Sequence, residues 1–177
     1  MSVWTINGGN KLFGDVKAQG SKNAVLPIMA AAIITGCETE LINCPELSDV
    51  GAAMDILRHL GCKAERRGGA VYIDSRGMNR TDIPHELMRE MRSSVIFLGA
   101  ILARAHRASI SYPGGCELGA RPIDLHLAAL KSLGADIQEQ GCNINCFDSG
   151  LIGTRINLKF PSVGATENAM LAACAAK

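Results

Sequence analysis

Aromatic side chains are scarce in this sequence: one Trp, two Tyr and four Phe, or 4% of 177 residues. A surface that stacks nucleobases needs such rings in number, so single-strand nucleic-acid binding of that kind is excluded. An excess of one charge is also lacking. Eighteen Lys and Arg against 17 Asp and Glu leave a formal +1, which gives no broad field for a polyanion or an anionic membrane. The longest apolar run, Ala24 to Thr35, falls short of the ~20 residues a membrane-spanning helix needs. Met1 to Asn10 contains neither the basic nor the apolar segment of an export signal. No Gly-rich phosphate loop of the P-loop or dinucleotide type is present. Cys142 and Cys146 are the closest pair among seven cysteines, with no second pair or nearby His at ligand spacing, which argues against zinc. The odd cysteine count without an export signal predicts free thiols in the cytoplasm. No metal, cofactor, nucleic-acid or membrane partner is expected.

What is present is a repeat. Leu57-Arg58-His59-Leu60-Gly61-Cys62-Lys63 resembles Leu130-Lys131-Ser132-Leu133-Gly134-Ala135-Asp136, 73 positions on. Glu40 to Pro45 resembles Ala108 to Pro113, only 68 positions on. The second copy therefore carries five extra residues, around Gly114 to Ala120. An insertion into a repeated framework is a place where function is grafted.

Each copy reads as apolar helix, strand, amphipathic helix, strand, strand, an α/β pattern. The apolar helices are predicted within Lys22–Ile34 and Ser93–Arg104, with a third from Gly164 to Ala176 after a strand at Arg155–Leu158. The amphipathic helices are predicted at Val50–Leu60 and Pro122–Leu133. Strands are predicted at Glu40–Asn43, Lys63–Arg67, Ala70–Asp74, Ser109–Tyr112, Asp136–Glu139 and Ile144–Phe147. Pro27 conflicts with a regular helix from Lys22: either the helix starts near Pro27 or it kinks there. Helices apolar all round are expected to be buried all round. Helices inside, with sheets and half-exposed helices around them, follow. The third copy stops after its first helix, so the chain is expected to be the front part of something longer or to need a partner.

Three cations stand at predicted helix starts: Lys22 after Ser21, Arg92 before Ser93-Ser94, and Arg121 before Pro122. There each opposes the helix dipole by about 0.3–1 kcal/mol. Several such ends make sense if they converge on an anion, which dipole and side chain both attract. The plainer reading gives each cation its own local carboxylate. Ser162-Val163-Gly164-Ala165-Thr166 opens the last helix, with free N–H groups for a phosphate or simply ordinary caps. Cys116, in Pro113-Gly114-Gly115-Cys116 and five residues from Arg121, is the one cysteine in a loop setting that favours thiolate. It can serve as nucleophile or proton donor; the alternative is a loop thiol with no role. The other six are expected to be inert core thiols. His126 could line the same site or be an ordinary helix residue. His59, His85 and His106 read as surface.

Ser21-Lys22-Asn23-Ala24, Met91-Arg92-Ser93-Ser94, Pro113-Gly114-Gly115-Cys116 with Gly119 to His126, and Pro161 to Thr166 resemble, in that order and over essentially the whole chain, the UDP-N-acetylglucosamine enolpyruvyl transferase (1-carboxyvinyltransferase) family. The resemblance implies two domains, each an inside-out α/β barrel of three repeats. Here residues 22–177 would be the first barrel, incomplete in its third repeat. Residues 1–21 would pair with a second domain. It implies transfer of the enolpyruvyl group of phosphoenolpyruvate to the 3-hydroxyl of UDP-N-acetylglucosamine with release of phosphate, in bacterial peptidoglycan synthesis. It implies Cys116 as the proton donor and fosfomycin target. Lys22, Arg92 and Arg121 would hold the anionic groups, with Asn23 beside Lys22. Arg121, Pro122, Ile123, Asp124 and Leu125, with Ser162, Val163 and Gly164, would hold the nucleotide sugar. Phe160-Pro161 stands where some members carry a lysine, with Lys159 one place earlier. The base for the sugar hydroxyl would lie outside this chain, so 1–177 alone is expected to be inactive. The competing readings are the shikimate-pathway synthase, a non-catalytic truncated homologue that binds UDP-sugar, and a thiol-redox role.

Overall fold

The computed structural model describes residues 3–112 and 123–177, and of Arg92 only the backbone. The first repeat is α1 (Lys22–Thr35), β1 (Glu38–Leu41), α2 (Ser48–His59), β2 (Lys63–Arg67) and β3 (Ala70–Asp74). The second adds β4 (Asp82–Ile83) and α3 (His85–Glu90), then a 3₁₀ turn (Arg92–Ile96) running into α4 (Phe97–Ala105). It continues with β5 (Arg107–Ser111), α5 (Asp124–Ser132), β6 (Asp136–Gln140) and β7 (Asn143–Phe147). The third contributes α6 (Val163–Ala173).

The core is helical. α1, α4 and α6 pack on one another, and the run Phe97–Ala103 of α4 is buried on every side. Removing each such Leu, Ile or Phe side chain from water contributes about 1.5–3 kcal/mol. The sheets lie outside these helices. One has the order β1-β3-β2, antiparallel throughout; the other is β4-β5-β7-β6, with β4 parallel to β5. α2 turns Val50, Ala53, Ile56 and Leu57 inward and leaves Asp55 and Arg58 half exposed as an ion pair. α5 does the same with Leu127 and Leu130 inward. Helices inside and sheets outside are the arrangement expected from the sequence.

Three expectations, and one of the two alternatives at Pro27, need correction. α1 is not buried all round: Ile28 is 48% exposed, because no described segment covers the Ser21–Ala24–Ile28 stripe. The same helix begins at Lys22 and carries Pro27 within it, so its regular part does not wait for the proline. Arg155–Leu158 forms no strand. Its side chains keep the alternation of a strand, with Ile156 packed on the core, yet no neighbouring strand among the described residues offers a ladder. Finally, Glu38 pairs with Asp74 and Arg107 with Phe147, so the first strands are 69 positions apart and the last strands 73. The second copy thus carries four extra residues, not five; the shared proline had shifted the alignment by one.

Residues 3–20 form no helix or strand, and Trp4, Ile6, Leu12, Phe13 and Val16 lie almost wholly in solvent. Among the described residues, no helix is long and apolar enough to cross a membrane.

Candidate functional site

At the start of α1, Ser21 is extended and its carbonyl accepts the Ala24 and Val25 N–H groups at 3.2 and 3.0 Å. Its hydroxyl makes no cap bond. Lys22 is the first helical residue, and its ammonium pairs with the Asp49 carboxylate in the first turn of α2. Asp49 sits well there, since a carboxylate favours a helix N-terminus. The plainer reading therefore describes Lys22 as it stands: it has its own local carboxylate. The ion pair is partly exposed, at 49% and 23%, and such pairs are worth about 0–1 kcal/mol. An incoming dianion can displace Asp49 at small cost. Asn23 is exposed beside it, and Pro27, four residues on, has no N–H to give the Asn23 carbonyl. An open groove of about 360 Å³ runs along Ser21, Ala24, Val25 and Ile28, but neither Lys22 nor Asn23 lines it.

Arg92 opens the 3₁₀ turn after the extended Met91. That turn packs against α1 and α6. Ser94 behind it is fully buried and donates its hydroxyl to the Met88 carbonyl at 3.3 Å.

The third part lies where α5 and α6 begin. Ile123 is buried, and its carbonyl accepts the Leu127 N–H at 3.1 Å. Asp124, exposed, and Leu125, half-buried, follow on the first turn of α5. At the start of α6 the Ser162 hydroxyl accepts the Ala165 N–H at 3.3 Å, and its carbonyl accepts from Thr166 Oγ1 at 2.8 Å. Ser162 is thus an ordinary cap as well as a candidate ligand group. Val163 is 74% exposed. Gly164 faces the His126 ring: a Cβ there would lie 3.3 Å from Cε1 and 3.5 Å from Nε2. The ring therefore rests on the first turn of α6 and brings together the two segments read from the sequence as holding one ligand.

His126 Nδ1 lies 3.2 Å from Asn168 Nδ2, and Asn168, wholly buried in α6, accepts the Gly99 N–H of α4 at 2.7 Å. Burial lowers the His126 pKa, against the opposing pull of Asp124. Sequence reasoning missed Asn168 and Gly99. Asn168 is the wholly buried polar residue of α6, and Gly99 the glycine of a buried helix; neither stands out in the sequence, since α6 also carries Thr166 and Glu167. It also missed Asp49, which Ser48-Asp49 at a helix start could have suggested.

Cys116, Arg121 and Pro122 lie outside the described residues, as does the side chain of Arg92. The other cysteines divide. Cys44, Cys62 and Cys146 are buried, whereas Cys37, Cys142 and Cys174 are exposed and so are not core thiols. Burial pushes the Cys62 thiol up to about 11 and Cys146 up to about 12. His59 is not a surface residue either: its ring is only 17% exposed and sits 3.1 Å from Asp82.

Apolar helices packed together inside two outer sheets, in repeated order, define a class. This chain belongs to the EPSP synthase (3-phosphoshikimate 1-carboxyvinyltransferase) family, whose sequence model matches residues 6–177. Within it, the chain is 48% identical over 173 residues to UDP-N-acetylglucosamine 1-carboxyvinyltransferase 2 of Caldanaerobacter subterraneus subsp. tengcongensis, covering 98% of this chain and 42% of that one. It is 44% identical over 177 residues to the protein of the same name from Carboxydothermus hydrogenoformans, covering 100% and 42%. Among solved structures, the enolpyruvyl transferase NikO from Streptomyces tendae matches with a TM-score of 0.78 at 20% identity, over 96% of this chain and 40% of that one. The resemblance carried by the four motifs is borne out, and so is the inside-out α/β barrel, incomplete in this chain. The chain spans 42% of the length of these curated relatives.

Proposed function

We propose that this chain is the first part of a cytoplasmic enolpyruvyl transferase. That enzyme moves the enolpyruvyl group of phosphoenolpyruvate to the 3-hydroxyl of UDP-N-acetylglucosamine and releases phosphate, as a step of peptidoglycan synthesis. The observation that carries the reading is the contact of the α5 and α6 starts through His126 and Gly164. It juxtaposes Ile123 to Leu125 with Ser162 to Gly164, the two segments assigned to the nucleotide sugar. The relatives' shared name adds weight.

In this reading Lys22, Arg92 and Arg121 neutralise phosphate and carboxylate as charge redistributes, and Asn23 accompanies Lys22. Cys116 gives a proton to the methylene carbon of phosphoenolpyruvate as the sugar oxygen, losing its own proton to the base, bonds to C2; loss of phosphate from C2 and of a proton from the methyl carbon then restores the double bond. Residues 1–21 pair with a second domain, which would cover the exposed Trp4, Leu12 and Phe13, supply the base for the sugar hydroxyl and exclude water.

The test is phosphate release by the whole protein that carries this chain. Release is expected only with both phosphoenolpyruvate and UDP-N-acetylglucosamine, and fosfomycin is expected to alkylate Cys116. Turnover with shikimate 3-phosphate, and none with the UDP-sugar, would replace this reading with the synthase for which the family model is named. UDP-sugar binding without turnover would leave a non-catalytic homologue.

A further inference from the structure

Where α4, α5 and α6 meet, three polar groups form one line: the Gly99 N–H, the Asn168 carboxamide and the His126 ring. The direction of each bond in it is fixed. Gly99 sits where the 3₁₀ turn has just become α-helix, and its N–H donates to Asn168 Oδ1 at 2.7 Å. The carboxamide must therefore turn its nitrogen to His126. That nitrogen can only donate, so His126 Nδ1, 3.2 Å away, accepts and carries no hydrogen. A protonated ring would set two donors against each other. The ring's one hydrogen is left on Nε2. Burial of the ring acts in the same direction.

The two flanking glycines are part of the arrangement. A Cβ on Gly99 would fall 2.4 Å from both the carbonyl and the carboxamide oxygens of Asn168, so no larger residue allows the first bond. Gly164 leaves the Cε1–Nε2 edge of the ring against the opening turn of α6, where the helix dipole favours an anion.

We propose that Asn168 is a positioning residue that holds His126 as an Nε2–H donor aimed at the anionic part of the nucleotide sugar at the start of α6. The proposal rests on the transferase reading above. Asn168 touches no ligand itself; it acts through the ring.

The experiment is ring-nitrogen NMR on the whole protein that carries this chain, ¹⁵N-labelled at histidine, with the His126 signals identified by their absence in His126→Gln. At neutral pH the wild-type spectrum is expected to show a hydrogen on Nε2 and a bare Nδ1. Asn168→Asp offers only acceptors, so Nδ1 is expected to gain a hydrogen. A purely structural role for Asn168 would not move that signal. UDP-N-acetylglucosamine is then added, and the Nε2 signal is expected to shift together with the Val163 and Gly164 amides. His126→Asn is expected to weaken UDP-sugar binding about tenfold, as for loss of a hydrogen bond to a charged group. His126→Gln, whose amide nitrogen reaches toward the Nε2 position, is expected to restore most of it.

A bare Nε2 or a mixed tautomer in the wild type overturns the proposal, and that measurement needs no variant to fold. So does an unchanged spectrum in folded Asn168→Asp. If the α6 amides shift and the ring does not, His126 does not face the ligand and the proposal alone fails. If nothing shifts at any UDP-sugar concentration, the nucleotide-sugar reading fails and takes the proposal with it.

Discussion

Cys62 and Cys146 are buried whereas Cys37, Cys142 and Cys174 are exposed, and burial is the largest cause that raises the two buried thiols. With pKa values pushed up to about 11 and about 12, the two buried thiols hold little thiolate near neutrality. We predict that a thiol-specific disulfide reagent labels Cys37, Cys142 and Cys174 in the folded chain at once, and Cys62 and Cys146 only as it unfolds; mass mapping of the labelled peptides checks this. His126 gives a pH prediction. Its folded-state pKa is depressed, so below the unfolded value of about 6.5 the unfolded chain binds a proton that the native chain refuses. Its contribution to stability is present above that value and is lost as pH falls through the folded pKa. Urea midpoints measured against pH should decline more steeply on the acid side in the wild type than in His126→Gln. At this scale the sequence was only partly readable. Lys22 was recognisable as a helix-start cation, but not its partner Asp49, because an ion pair between two helix starts depends on how α1 and α2 pack.

Among elements, α4 is buried along Phe97–Ala103 and leaves no room at Gly99. Gly99→Ala places a methyl group against Asn168 backbone and side chain at 2.4 Å. Such overpacking costs about 1–3 kcal/mol or more, which a lowered urea midpoint would reveal. α1 should respond in the opposite sense. Pro27 costs the helix one hydrogen bond, and Pro27→Ala returns an amide to the Asn23 carbonyl. Allowing for the freer unfolded chain, a gain of about 2 kcal/mol is expected, and an unchanged or lower midpoint would contradict it. Much at this scale was legible. β2 and β3 have the expected bounds, because Gly68-Gly69 marks the turn between two five-residue strands. β4 and α3 were not seen: two and six residues are too short for either periodicity to register. Arg155–Leu158 has the alternation of a strand without the ladder, since pairing is decided by a neighbour and not by the segment itself.

For the whole molecule, the layering is legible in the sequence repeat, because each copy carries one helix with almost no charge on any face. The candidate site was less legible, since it is assembled from the starts of several elements. The exposed segment 3–20 carries the only tryptophan, with Trp4 at 88% exposure. We predict that its fluorescence in the isolated chain is that of a solvated indole, quenched readily by acrylamide. In the whole protein the emission should shift to the blue and quenching should fall. Equal quenching in both would argue against any covering of this segment by a second domain.

The bond from Gly99 to Asn168 spans 69 residues of chain. During synthesis α4 leaves the ribosome well before α6, so the Gly99 amide must bond to water until the later helix arrives. Long-range closure of this kind slows folding relative to a bundle built from neighbours in sequence.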